Sequence, residues 1–283
     1  MSKIKFALFF IISIFIYSAF ASTNPSHTKK DKFISYTEKG QGTPLILIHA
    51  FPTDQRLWAP QQEKLQSYFR VITLDLWGFG QSSTVDGNAV TMDDYSDEVK
   101  QLLDQLHIQK AIIGGESMGG YIALAFLEKY PNRIQGLILS DTQSIADSPE
   151  TKEKRETSAV QVLKEGTSQL IQNFLPKALS SEATDETQKF LQTILEVQTP
   201  TAIASALRGM ALRHDTSPIL EKTELPILII TGEQDALISP EQSKNMQTLA
   251  KNSKLVVISH AGHLSNLEKP KEWNQAVIDQ FHP

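Results

Sequence analysis

The sequence predicts an α/β protein: a mostly parallel central sheet, flanked by helices, with an all-helical insertion late in the chain. Three observations predict it. Short apolar runs of strand length alternate with segments of helical periodicity, which is the rhythm of strand-helix-strand units and a parallel sheet covered on both faces. That rhythm stops between Ser140 and Pro226, where residues 144–220 read as several helices. One strand also runs straight into a glycine cluster with a serine at its centre, "IIGGESMGGYIAL", and the chain turns helical immediately afterwards.

Taken in order, "KFISYTEKGQGTP" reads as an edge strand and turn, and "LILIHA" (Leu45 to Ala50) as a strand buried on both faces, since it lacks polar alternation. "WAPQQEKLQSYF" is helical in pattern, "RVITLD" (Arg70 to Asp75) is a second buried strand, and "GFGQSS" is a loop. Thr91 caps a helix whose first turn carries Asp93 and Asp94, where carboxylates suit the positive end of the helix dipole. A strand Ala111 to Gly115, a helix Met118 to Lys129 and a strand Ile134 to Ser140 follow. After the helical stretch come a strand Pro226 to Gly232, a helix Pro240 to Lys251, a strand Lys254 to Ser259 and a closing helix from Pro270. Leu170, Phe174, Phe190, Leu191, Leu195, Ile203, Leu207 and Met210 are the candidate apolar positions of the insertion, which reads as a cap over one end of the sheet.

The chain opens with Lys3 and Lys5, then a nearly unbroken apolar run from Phe6 to Phe20, then Ala19-Phe20-Ala21. A short run with small residues at its exit is the pattern of a secretory signal peptide cleaved after Ala21. The run is short for a membrane span, which takes about 20 apolar residues. A polar leader, residues 22–32, follows. The expectation is an exported protein, periplasmic or secreted, touching a membrane only through this segment if it is kept. Without residues 1–21 the chain holds 25 basic against 32 acidic residues, a net charge of −7, and that balance argues against a nucleic-acid partner. There is no cysteine, which excludes disulfides, thiol nucleophiles and thiolate metal sites. The seven histidines show no ligand spacing such as HExxH, so neither a metal nor a cofactor is expected. Nothing in the sequence specifies an oligomeric state.

Gly115-Glu116-Ser117-Met118-Gly119 fits G-x-S-x-G in the context that motif requires, a buried strand before it and a helix after it. The serine would stand on a sharp turn at the end of the sheet, with glycines on either side so that the backbone can bend without a Cβ clash. A serine hydroxyl becomes a nucleophile only beside a base, and the base needs an orienting carboxylate. "IITGEQDALISP" supplies Asp235 just past one strand, and "VVISHAGHLSNLEKP" supplies His263 past the next. Both lie at carboxyl ends of strands, the edge where open α/β sheets gather their sites. His260 competes with His263 as the base but sits nearer the strand end, and Asp141 competes with Asp235 because it too follows a buried strand. A tetrahedral intermediate needs two N–H donors; Met118 would give one and Phe51, in the loop after "LILIHA", the other. His49 is then a loop-shaping residue.

The pieces "HAFP", "DLWGFGQS", "GESMGG", "GEQD" and "AGHLSNLEKP" resemble the α/β-hydrolase family. The similarity is to the branch with a small helical cap that includes 3-oxoadipate enol-lactonase, haloperoxidase-type esterases and meta-cleavage-product hydrolases. It covers nearly all of the chain after the leader. It implies the α/β-hydrolase fold, with core segments 33–143 and 221–283 and a helical cap, 144–220, inserted between the sixth and seventh strands. It carries Ser117, Asp235 and His263 over as the triad and Phe51 and Met118 as the oxyanion amides. Ala50 stands where relatives usually have glycine, and Asp75 and Gly78 resemble a structural turn. Serine rather than aspartate at the nucleophile position disfavours dehalogenase and epoxide hydrolase chemistry.

The expected activity is hydrolysis of a small carboxylic ester or lactone through an acyl-enzyme on Ser117. The same triad would support C–C bond hydrolysis of a diketone, and a ligand-binding or sensor protein with a slow triad is the reading from a different class. Arg208 and Arg213 are candidates to meet a substrate carboxylate or, equally, to form ion pairs. Glu116 reads as a buried hydrogen-bonding support for the elbow and not as a second base.

Overall fold

The computed structural model describes residues 32–282. The segment expected to be a signal peptide, residues 1–21, and nearly all of the polar leader lie outside them. No helix of the described residues is long and apolar enough to cross a membrane.

Seven strands form one sheet: β1 (Tyr36–Lys39), β2 (Pro44–Ile48), β3 (Arg70–Leu74), β4 (Ala111–Glu116), β5 (Ile134–Ser140), β6 (Ile227–Gly232) and β7 (Ser253–Ile258). Their spatial order is β1-β3-β2-β4-β5-β6-β7. Only β1 runs antiparallel, against β3; the other pairs are parallel. The continuous apolar runs are explained by the two faces. Ile46 and Ile48 of β2 join one core cluster with Ile72, Ile113, Leu137 and Ile229. Leu45 and Leu47 join a second cluster on the other face, with Trp58, Phe69, Ile112, Leu228 and Trp273. Successive side chains of a strand point to opposite faces, so a strand covered on both sides has no position left for a polar residue.

Helices α1 (Ala59–Leu65), α2 (Met92–Gln105), α3 (Met118–Lys129), α9 (Pro240–Leu249) and, after the single turn α10 (Ser265–Glu268), α11 (Pro270–Phe281) cover the sheet. The expected Thr91 cap is present as a capping box, its hydroxyl accepting from the Asp94 N–H while Asp94 accepts from the Thr91 N–H. Between β5 and β6 run α4 (Pro149–Glu165), α5 (Ser168–Ala178), α6 (Asp185–Leu195), α7 (Pro200–Leu212) and α8 (Ser217–Lys222).

Two expectations are corrected here. The helical segment follows the fifth strand and precedes the sixth, one position earlier than the family count of sixth and seventh. The described chain ahead of β2 contributes one strand and not two. The Phe33 and Ser35 N–H groups donate to the hydroxyls of Ser83 and Ser82, and the Ser83 N–H donates back to Phe33, so this stretch is tied to a loop. The apolar residues of the insertion also divide between two places. Leu191 and Leu195 pack with Ala50, Leu57, Leu264 and Leu267 above the carboxyl edge of the sheet. Ile203, Leu207 and Met210 instead join the main core cluster.

Candidate active site

β4 ends at Glu116, α3 begins at Met118, and Ser117 alone makes the turn, at φ 54° and ψ −111°. A non-glycine residue rarely adopts a positive φ, so the surroundings must hold it there. They do so through the Ser117 N–H, which donates to the Ser140 carbonyl at 2.8 Å, and the Ser117 carbonyl, which accepts from Thr142 Oγ1 at 2.7 Å. The glycines on either side serve space and not dihedral freedom. A Cβ on Gly115 would run into the Gly119 backbone, and one on Gly119 would run into the Ile48 carbonyl. The elbow is thus pressed against the end of β2, and the loop bearing Phe51 runs beside it.

The structure brings Ser117, His263 and Asp235 into one line. His263 Nε2 lies 2.8 Å from Ser117 Oγ, and Nδ1 lies 2.8 Å from Asp235 Oδ2. A carboxylate only accepts, so Nδ1–H donates to it and the bare Nε2 faces the serine hydroxyl. His263 is 2% exposed and Ser117 8% exposed, so bulk water is largely kept from both. Burial alone would lower the His263 pKa, but the charge and hydrogen bond of Asp235 outweigh it and raise the pKa above the ordinary 6.5. Asp235 is fixed in turn through Oδ1, which accepts the N–H groups of Leu237 at 2.8 Å and Ile238 at 2.9 Å. The histidine loop is tied down by Gly262 N–H donating to Glu268 Oε1 at 2.7 Å and by Leu264 N–H donating to the Ala178 carbonyl at 3.0 Å.

The two competitors lie elsewhere. His260 has a 61% exposed side chain and pairs with Glu182 at 2.7 Å. Asp141 is fully buried and accepts from Gly232 N–H at 2.6 Å and Ser265 Oγ at 2.5 Å, bonds that hold loops together and leave the imidazole to Asp235.

The Phe51 and Met118 N–H groups donate to no acceptor among the described residues. Ala50 fits where glycine is usual because its side chain is buried in the apolar cluster of Leu57, Leu191 and Leu264. Its carbonyl accepts from Thr53 N–H, Thr53 Oγ1 and His49 Nδ1. His49 Nε2 accepts the Leu76 N–H at 3.1 Å, which uses the second ring nitrogen, and burial pushes its pKa down; a neutral, doubly bonded ring shapes the loop. Asp75, as a structural turn requires, accepts from the N–H groups of Gln55 and Gln81.

Both candidate arginines are engaged. Arg208 pairs with Glu156 at 2.6 Å and donates to the Gly87 carbonyl. Arg213, 5% exposed at its side chain, pairs with Asp147 at 2.7 Å and stacks over Tyr121 with its guanidinium carbon 4.1 Å from the ring centroid. Phe190 packs on the apolar cluster of Leu191 and Leu264, and Met210 sits in the main core. Phe174 borders a cavity of about 230 Å³ with Val162, Leu170, Asn173, Lys177 and Leu237, and none of the three triad residues lines it. Its ring meets Phe51 edge-on at 6.5 Å, which places the cavity next to the oxyanion loop. Sequence reasoning missed Glu268 and Ser265, whose only signal was their place in "AGHLSNLEKP".

The comparisons with known proteins identify the fold family. The family model for the alpha/beta hydrolase fold matches residues 43–193 and 177–270. A thermophilic esterase from Thermogutta terrifontis, solved with malate bound, superimposes with a TM-score of 0.86 at 35% identity, covering 90% of this chain and 94% of that one. The enol-lactonase from Burkholderia xenovorans LB400 superimposes with a TM-score of 0.82 at 25% identity, covering 90% and 98%. The dihydrolipoyllysine-residue acetyltransferase component of the acetoin cleaving system from Pseudomonas putida is 29% identical over 84% of this chain, which spans only 63% of that relative's length. The chain belongs to the α/β hydrolase fold family, and an esterase and an enol-lactonase are among its structural neighbours.

Proposed function

We propose that the protein is a serine hydrolase that cleaves a small carboxylic ester or lactone through an acyl-enzyme on Ser117. The observation that carries this reading is the continuous hydrogen-bonded line from Ser117 Oγ through His263 to Asp235, with a bare Nε2 aimed at the hydroxyl. His263 takes the serine proton as Oγ attacks the carbonyl carbon, and the Phe51 and Met118 amides receive the negative charge that develops on the carbonyl oxygen. The protonated imidazole then gives its proton to the leaving alkoxide. Water repeats the sequence on the acyl-enzyme, with His263 again the base, and frees the acid. Asp235 holds the imidazole in the tautomer that leaves Nε2 free and stabilises the imidazolium between the two proton transfers.

The cavity beside Phe51 bears on the substrate class. Val162, Leu170, Phe174 and Leu237 give it apolar walls, Ser158, Gln161, Gln169 and Asn173 neutral polar groups and Lys177 a positive charge, and no acidic side chain lines it. Such a lining suits a small molecule with an apolar part beside its ester.

The activity of this site requires neutral His263, so kcat/KM is expected to rise with pH. Because Asp235 raises the imidazole pKa, the midpoint of that rise is expected above 6.5. A pH series on a short-chain p-nitrophenyl ester measures it; a profile flat across that region, or one that falls with pH, contradicts the assignment of His263.

A further inference from the structure

Glu116 is the residue the mechanism leaves without a task. It is fully buried directly before Ser117. Neither of its carboxylate oxygens accepts a hydrogen bond of standard geometry among the described residues. An ionised carboxylate in that position would bear a large desolvation cost with nothing to offset it. Glu116 stands opposite Ser140 in the β4–β5 register, one residue from Asp141, so two fully buried acids are neighbours at the ends of adjacent strands. Two ionised carboxylates cannot share a hydrogen bond, because both only accept. One of them therefore holds a proton.

The surroundings identify which. Asp141 Oδ1 accepts the Gly232 N–H, and Oδ2 accepts the Ser265 hydroxyl, with the Ser265 N–H at 3.4 Å and the Ser140 hydroxyl at 3.3 Å. Ser140 is itself oriented by Trp273 Nε1, which donates to it at 2.9 Å. Burial and the Asp235 charge push Asp141 up to about 6, but that cluster of donors, which Glu116 lacks, leaves it ionised at neutral pH. The other titratable groups that act on the pair are Asp235 and His263, and no lysine or arginine pairs with either acid among the described residues.

The partners of Asp141 are also the right ones for positioning. Gly232 stands three residues before Asp235 and Ser265 two residues after His263, while Glu116 is bonded through the chain to Ser117. We propose that Glu116 is a protonated positioning residue, whose carboxyl donates to the ionised Asp141 and so clamps the Ser117 elbow to the loops that carry Asp235 and His263. The clamp's effect on turnover rests on the hydrolytic reading of Ser117. The protonation state does not.

Two experiments keep these separable. The first needs no activity. Folded Glu116 keeps its proton well above the ordinary carboxyl value of 4.5, because burial and then the Asp141 charge raise its pKa. The folded state then binds more protons than the unfolded one, so this acid removes stability as pH rises above 4.5. Glu116→Gln, a neutral donor of the same shape, has no such proton to lose. Its melting temperature is expected to exceed that of the wild type at neutral pH and to converge with it below pH 4.5, and the infrared band of a protonated carboxyl present in the wild type at neutral pH is expected to vanish in the variant. A Glu116→Gln variant less stable than the wild type at neutral pH, or a wild type without the band, overturns the proposal. The second experiment reads turnover, with folding of each variant checked by circular dichroism. Glu116→Gln is expected to retain most of kcat, while Glu116→Leu, which leaves Asp141 without its donor, is expected to lose about ten- to a hundredfold in kcat at unchanged KM. Equal losses in both variants, or none in Glu116→Leu, overturn the clamp while leaving the assignment of Ser117 untouched.

Discussion

Ser117→Ala is expected to lower kcat on a short-chain ester by about a millionfold, the scale on which loss of the nucleophile alone disables a serine hydrolase. The loss falls on kcat and not on KM, because Ser117→Ala removes only the hydroxyl oxygen and leaves the cavity beside Phe174 untouched. His263→Ala is expected to cost nearly as much, and the double variant little more than either single one, since nucleophile and base act as one unit. A residue of catalysis over water should survive in all three, supplied by the Phe51 and Met118 amides. A steady-state comparison at saturating ester measures these effects. Turnover by Ser117→Ala within tenfold of the wild type would remove the serine from the mechanism.

The second large effect separates the two acids. Asp235→Asn is expected to lower kcat by about ten-thousandfold, because an amide facing Nδ1 favours the tautomer that places the proton on Nε2, where a bare nitrogen is needed. The structure makes this a demand on Asp235 specifically, since Oδ2 is the atom 2.8 Å from the ring while Oδ1 is occupied by the Leu237 and Ile238 amides. Asp141→Asn is expected to cost far less, because Asp141 spends its oxygens on Gly232 and Ser265. Purified variants with matched circular dichroism spectra provide the comparison. The reverse ranking would move the orienting carboxylate to the end of β5.

Much of this was legible in the sequence, and the pattern of success has a physical basis. The buried strands and the helix from Met118 to Lys129 announced themselves because parallel strands covered on both faces are continuously apolar, and because a glycine-serine cluster at a strand end has few other uses. The purpose of the glycines was misjudged. The elbow's positive φ belongs to Ser117 itself, and Gly115 and Gly119 are there because backbone from elsewhere approaches them, a long-range fact that no local pattern carries. His260 and His263, three residues apart, could be ranked only by loop position. What separates them is that His260, at φ 58°, turns outward to Glu182 while His263 is held inward through Gly262 and Leu264. The ion pairs of the two arginines were open in the sequence for the same kind of reason: Asp147 and Glu156 meet them only once the insertion has folded. Asp141 is the clearest case. Its role depends on Ser265, which lies 124 residues away in the chain.

Hydrolysis through Ser117 requires a covalent bond to one oxygen. Mixed with a slowly deacylating p-nitrophenyl ester, the wild-type protein is expected to release a burst of p-nitrophenol equal to one molecule per chain and to gain the mass of one acyl group, recovered on the peptide that contains Ser117. A burst without an acyl adduct, or an adduct on any other residue, would contradict it.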